Sequence, residues 1–360
     1  MTRKTIIKKF TKSGAPGLSF RALSCVLISV VFCLFLSSCK GTVNSYVRTS
    51  FALDTAVQVT VYDQKDIKAA EDALLFCKQM EKVFSRTDPE AALYRLNESF
   101  REGAGSAAQV SDDLFTMIES CVRFYALSDG AFDVTLGALS SIYDFSGEIH
   151  RVPSEEERTG LLLHTGADKL RLTENHGVSS ADPETVLDLG AAAKGYIADR
   201  MKEKLISEGV EHAIINLGGN VLVIGEKSVD GGLFSGLTGR KSTAPYEAGI
   251  SKPVYGGSSE VLLTVPLSDE SLVTSGTYQR YFEQDGTIFH HILDPKTGLP
   301  VSNGLLSVSV RTKNSFDADI LSTACFVLGI EGSQKLIDQL DFDAEVIFID
   351  EEMKVTRIRN

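Results

Sequence analysis

Neither zinc chemistry nor a disulfide framework finds support in this 360-residue sequence. Its six cysteines include no CxxC pair, and its six histidines include no HExxH or similar zinc spacing. The GxxxxGK[ST] of a Walker loop and the GxGxxG of a dinucleotide fold are both missing. No basic stripe with interleaved aromatics occurs, no short-period repeat, and no clear linker after residue 50. Acid is absent from the start of the chain: residues 1–38 hold six of the 36 basic residues and none of the 48 acids. The remainder therefore carries 30 − 48 = −18, a balance with no general attraction for nucleic acid.

What stands at the N-terminus is a processing segment. Arg3, Lys4, Lys8, Lys9, Lys12 and Arg21 precede an apolar stretch from Ala22 to Leu36, which ends in Leu36-Ser37-Ser38-Cys39. Such a stretch is short for a bilayer span and suits a signal-peptide core; an uncleaved anchor is the other reading. Either way residues 40–360 are expected across the membrane. Leu-Ser-Ser-Cys resembles a bacterial lipobox, which implies cleavage before a lipidated Cys39 and a tether over 39–50. Cys25 and Cys33 leave with the signal. Cys77, Cys121 and Cys325 each lie in an apolar helical pattern and are expected as small core residues, with one disulfide among them left open.

Residues 51–360, from a chain 43% apolar, are long enough for one large domain or two intimate ones. Val57–Tyr62 alternates as a half-buried strand. Asp66–Phe84 sets Ile67, Ala70, Leu74, Cys77, Met80 and Phe84 on one helical stripe. Ser111-Asp112-Asp113 opens a helix with Leu114, Met117, Ile118, Cys121 and Phe124 inward, ended by Asp129-Gly130. Gly190 opens a third, carrying Ile197, Met201 and Leu205 and stopped by Gly209. Strands are expected at 213–217, 221–224, 261–266, 306–311 and 345–349, helices at 317–328 and 332–340, and a Gly- and Ser-rich loop at 227–241. Helix and strand alternate without strict βαβ spacing, so the fold class is α+β.

Several elements could carry chemistry. Asp319 and Thr323, four apart on a helix, project two hard oxygen donors from one face, which suits Mg²⁺ rather than zinc. The same spacing also suits a capping aspartate and a threonine bonded back to its own helix. Asp188-Leu189-Gly190-Ala191-Ala192-Ala193-Lys194-Gly195 places small residues where a strand turns into a helix. Free N–H groups there, with Lys194, would meet an anion; tight helix packing is the alternative. Asn216-Leu217-Gly218-Gly219-Asn220 is a hairpin turn or a close approach for a ligand. Gly130 to Thr135 sets Phe132 beside Asp133, able to stack on a planar heterocycle or to begin a buried strand. His290 and His291 precede the turn Asp294-Pro295-Lys296-Thr297-Gly298, with His291 favoured as proton carrier.

Taken in order, AFDVTLGAL at 131–139, DLGAAAKGYIAD at 188–199, IINLGGNV at 214–221, TSGTYQRYF at 274–282, HHILDPKTGLP at 290–300 and ADILSTACFVLG at 318–329 resemble the ApbE family of bacterial FAD:protein FMN transferases, long labelled thiamine-biosynthesis lipoproteins. The resemblance covers essentially all of residues 50–350. It implies a T-fold-like duplicated architecture, a lipid-anchored enzyme facing the periplasm or cell exterior, and FMN transfer from FAD onto a threonine or serine hydroxyl with release of AMP. By the same resemblance Mg²⁺ would be held by Asp319, Thr323 and the Ala191 carbonyl. FAD would be contacted by Leu53, Thr87, Ala131, Phe132, Asp133, Asp188, Lys194 and Ile292. Acceptors would be membrane redox subunits such as those of Nqr- and Rnf-type complexes. Three positions depart from the family pattern: Leu53-Asp54-Thr55 for Met-Gly-Thr, Thr87 for a tyrosine, and Thr277 for an aspartate. The activities weighed beside transfer are FAD pyrophosphatase and passive flavin binding.

Overall fold

Eight strands follow one another across a single antiparallel sheet in the order in which the chain makes them. They are β1 (Tyr46–Ala52), β2 (Thr55–Val61), β3 (Ala213–Leu217), β4 (Asn220–Ile224), β5 (Ser271–Gly276), β6 (Leu305–Thr312), β7 (Glu345–Asp350) and β8 (Val355–Arg359). The computed structural model describes residues 44–103, 105–145, 147, 149–229 and 242–360. The signal segment, Cys39 and most of the loop expected at 227–241 lie outside the described residues. β1 takes in residues 46–50, which the sequence reading gave to a tether. Tyr46, Arg48 and Ser50 alternate half-buried with exposed neighbours and pair in register with β2, from Tyr46–Val61 to Ala52–Thr55.

Seven α-helices are described: α1 (Ile67–Phe84), α2 (Ala92–Glu102), α3 (Asp112–Leu127), α4 (Gly137–Tyr143), α5 (Glu155–Leu162), α6 (Ala193–Ser207) and α7 (Ser315–Ile337). The stripes foreseen on α1 and α3 are buried, apart from a half-buried Ile67. The Ser111 hydroxyl accepts from the Leu114 N–H, as the N-cap pattern requires. Asp129 and Gly130 both take positive φ (53° and 77°) where α3 ends. α6 starts three residues later than expected, because Gly190–Ala192 form a turn and Ala192 (φ −136°, ψ −22°) is not helical. The two helices expected at 317–328 and 332–340 are the halves of α7, broken at Gly329 (φ 66°, ψ −174°). α7 is long and apolar enough to cross a membrane, yet half of its most apolar window is buried, as in a core helix.

Helices α1, α6 and α7 cover one face of the sheet, with Val57, Val59 and Val61 of β2 and Val308 and Val310 of β6 in the shared core. A hairpin of Tyr246–Ser251 and Val261–Leu267 covers part of the other face, burying Val223, Leu272, Ile347 and Ile349. The fold is α+β. Cys77, Cys121 and Cys325 are free thiols in the helix-side core.

Candidate functional site

The candidate site forms where the start of α6 meets the middle of α7. Gly195, in the first turn of α6, sits so close to α7 that a Cβ there would overlap the Ser315 carbonyl oxygen and come within 2.7 Å of the Asp319 Cβ. That proximity lets the Gly195 N–H reach across to Asp319 Oδ2 at 2.8 Å. Gly195 is the third residue of α6, where an N–H has no partner within its own helix, and the Ala191 carbonyl lies before the helix ladder begins. Among the described residues no backbone N–H takes that carbonyl. Asp319 is buried (3% exposed); burial raises its pKa, while the Lys194 charge and the Gly195 N–H pull it back down.

Thr323 lies one turn beyond Asp319 on the same face. The Ser322 hydroxyl donates to the Asp319 carbonyl (2.9 Å), and Ser275 of β5 lies 2.7 Å from the Ser322 oxygen and 3.3 Å from that of Thr323. Since Ser322 has spent its only proton, Ser275 donates to Ser322 and Thr323 donates to Ser275. The lone pairs of Thr323 are then uncommitted. A buried carboxylate, an unclaimed carbonyl and a hydroxyl with free lone pairs make a hard oxygen set that fits a small divalent cation such as Mg²⁺. Among the described residues no cluster of three His, Cys, Asp or Glu side chains offers another metal site.

The histidine pair divides its labour. His290 is 6% exposed; its Nδ1 accepts from the Ile292 N–H at 3.3 Å, so Nε2 carries the proton and donates to the Val301 carbonyl at 3.0 Å. It is a satisfied structural residue. His291 is partly exposed, and its Nδ1 must donate to the Arg280 carbonyl (3.2 Å), which leaves the Nε2 lone pair free. Desolvation by the surrounding wall, then the Arg280 charge, lowers its pKa to about 3. The Lys194 charge is felt by both His291 and Asp319, lowering the pKa of each.

The remaining expected residues fall into two groups. Asp188 lies at the rim, paired with Arg86 (3.0 Å) and receiving the Gly190 N–H (3.0 Å), and its own N–H donates to Val134 (2.7 Å). That last bond lays the 131–135 segment beside it. Asp133 is partly exposed, with Oδ1 held by the Thr135 N–H and hydroxyl (2.9 and 2.6 Å). Ala131 and Phe132 are turned inward: Phe132 is 1% exposed, in a turn rather than a strand, and its ring packs in the core. Ile292 is likewise buried, its N–H bonded to His290 and its carbonyl to Val301. Both bonds hold the end of the strand in place. Thr87 is exposed in the loop after α1, bonded only to Ser85.

Two of the departures from the family pattern keep their local structure. Leu53 and Asp54 both adopt left-handed φ (56° and 57°), the geometry of a two-residue hairpin turn, so the loss of glycine leaves the turn in place. Asp54 faces Arg280 at 3.7 Å, and Arg280 is the residue whose carbonyl orients His291. Thr277 is buried, with its N–H on the Leu306 carbonyl (3.0 Å). Arg86, Arg280, Ser275 and Ser322 were not singled out from the sequence. Ser275 and Arg280 lie within the TSGTYQRYF run, but their roles depend on partners 11 to 48 positions away.

The sequence matches the model of the ApbE family over residues 53–348. The FAD:protein FMN transferase of Treponema pallidum is 35% identical over 353 residues, covering 92% of this chain and 94% of that one. A Klebsiella pneumoniae protein of the same name is 37% identical over 237 residues, 65% of this chain and 69% of its own length. Among solved structures, the ApbE protein of Thermotoga maritima superposes with a TM-score of 0.75 at 31% identity, over 87% of this chain and 97% of that one. The match in sequence runs through both helices that build the site, and the fold agrees along nearly its whole length: this chain belongs to the ApbE family.

Proposed function

We propose that this chain is an FAD:protein FMN transferase, moving FMN from FAD onto a threonine or serine hydroxyl of a partner protein and releasing AMP. The observation that carries the reading is the Gly195 N–H donated across to the buried Asp319, at a helix start where, among the described residues, the Ala191 carbonyl accepts no backbone N–H. A passive flavin pocket has no need of such an oxygen set. The transferase name of the Treponema pallidum relative supports the same reading.

In this reading Ala191, Asp319 and Thr323 hold Mg²⁺, which when bound offsets charge on the diphosphate of FAD. Lys194 adds a full positive charge on the same side, and the start of α6 adds the positive end of its dipole. The acceptor hydroxyl oxygen forms a bond to the FMN phosphorus. The bond from that phosphorus to the AMP oxygen breaks, and AMP leaves with the electron pair. His291 Nε2, left free because Nδ1 is bonded to the Arg280 carbonyl, takes the hydroxyl proton. Asp188 and Asp133, at the rim, face the flavin end of the substrate. Lipidation at Cys39 would hold the enzyme at the outer side of the cell membrane, within reach of membrane redox subunits as acceptors.

The test incubates the full chain with FAD, Mg²⁺ and a candidate acceptor domain. A mass gain on the acceptor equal to FMN, with AMP released in step, is expected. FMN and AMP formed at the same rate without acceptor would make the chain a pyrophosphatase, and FAD bound without AMP release would make it a carrier. Removing a group that merely orients a metal ligand costs about 10–100-fold, so Asp319→Ala, which deletes a ligand, is expected to lose more than about 100-fold in transfer rate. Unchanged turnover in that variant would reject the metal assignment.

A further inference from the structure

The ligand set proposed above comes from two helices: Ala191 leads into α6, whereas Asp319 and Thr323 belong to α7. Its geometry is therefore the geometry of the α6–α7 contact. The N-cap of α7 is Asn314, whose side chain makes no capping bond and instead donates to Asp317 Oδ2 at 3.1 Å. The first N–H groups of α7 are satisfied from the other helix. Asp199 of α6 accepts from the Ser315 N–H through Oδ1 (2.9 Å) and from the Phe316 N–H through Oδ2 (2.8 Å). One turn earlier on α6, the Gly195 N–H donates to Asp319, one turn later on α7. Tyr196 and Phe316 meet edge to face between these two rungs, with ring centroids 5.2 Å apart.

We propose that Asp199 is a positioning residue for the metal site, acting as an N-cap supplied in trans that fixes the axial register of α7 against α6. A carboxylate suits the pair because each N–H meets its own oxygen, whereas an amide in the same place would turn its NH₂ toward one of the two donors. A side-chain cap within α7 would satisfy the same helix end yet leave α7 free to slide along α6. Ser315 is also tied to β4 through Asn220 (2.6 Å) and to β5 through Ser271 (3.0 Å), so loss of Asp199 should shift α7 rather than release it. The inference rests on the proposed metal site but not on the acceptor or on the fate of FAD.

The experiment measures Mn²⁺ affinity of the full chain by calorimetry and by the electron paramagnetic resonance of free Mn²⁺, with Tm read in parallel. Asp199→Ala and Asp199→Asn are expected to weaken Mn²⁺ binding by about 10–100-fold, the range for groups that orient metal ligands. Asp199→Glu, which keeps both acceptor oxygens, should recover part of it. Adding Asn314→Ser to Asp199→Ala gives α7 its own cap; Tm should rise again while Mn²⁺ affinity stays low. Affinity recovering together with Tm would overturn the inference by making Asp199 a stabiliser of the helix alone. Unchanged affinity in both Asp199 variants would overturn it directly, and a wild-type chain without saturable Mn²⁺ binding would remove the site itself. Weakened Mn²⁺ binding in a chain that transfers no FMN would support the positioning role while rejecting the transferase reading.

Discussion

His291 shows how one hydrogen bond leaves a ring nitrogen free for the role proposed for it. Its neighbour His290 uses both ring nitrogens on the protein, whereas His291 uses only Nδ1 and so retains one basic lone pair. With its pKa lowered to about 3, the ring stays neutral far below the usual histidine range. The pH profile of kcat/KM should therefore show no inflection near 6.5, and His291→Gln should lower the rate about 100-fold at every pH between 5 and 8. An acid limb near 6.5 that vanishes in the variant would show the ring titrating normally. The same shift bears on stability. A folded-state pKa below the unfolded value of about 6.5 means the unfolded chain binds the proton first. The contribution is fully present above pH 6.5 and is lost as pH falls toward 3, so urea melts at pH 7 and 4.5 should differ more for the wild type than for His291→Gln. Asp54 gives a second prediction at this scale. Its left-handed φ suits glycine better, and its ion pair with Arg280 is long and solvent-exposed. Asp54→Gly should stabilise the protein by up to about 1 kcal/mol, read as a higher urea midpoint.

At the scale of elements, the α6–α7 contact leaves no room for added volume at Gly195. Gly195→Ala would drive a methyl group into the Ser315 carbonyl and the Asp319 side chain. It is expected to cost about 1–3 kcal/mol in thermal melts and to abolish Mn²⁺ binding at the site. Retained binding would mean that the two helices can separate without consequence for the ligands. This contact also marks the limit of what the sequence disclosed. The stripes of α1 and α3, the caps at Ser111 and Gly209 and most of the strands were legible because they are set by neighbours a few positions apart. That Asp319 and Thr323 share one helix face was legible for the same reason. The roles of Asp199, Ser275 and Arg280 were not, since each acts on a group brought near only by the fold. Phe132 and Ile292, which the family resemblance offered as flavin contacts, are both buried in the core. The late start of α6 belongs here too, because the Gly190–Ala192 turn is what releases the Ala191 carbonyl from the helix ladder.

For the molecule as a whole, the three described thiols report on integrity. Cys77, Cys121 and Cys325 are 0% exposed, and burial raises all three, Cys77 and Cys325 to about 12. None should react with a thiol reagent such as DTNB in the native state, and all three should react once the chain is unfolded; reaction of any of them under native conditions would contradict the packing described. The strand order carries a kinetic consequence. β2 finds its second neighbour only when Val57 meets Leu217, and the 159 residues from 58 to 216, mostly helices and minor strands, lie between those partners. Ribosomal synthesis delivers the amino end first, so the hairpin of β1 and β2 must wait with one bare edge until the third strand arrives. Closing so long a loop is slow, and an unpaired edge invites association with other chains. Folding speed in this protein is thus set by the distance between two sheet neighbours along the polypeptide, and a holdase that shields the waiting hairpin should raise the yield of active molecules.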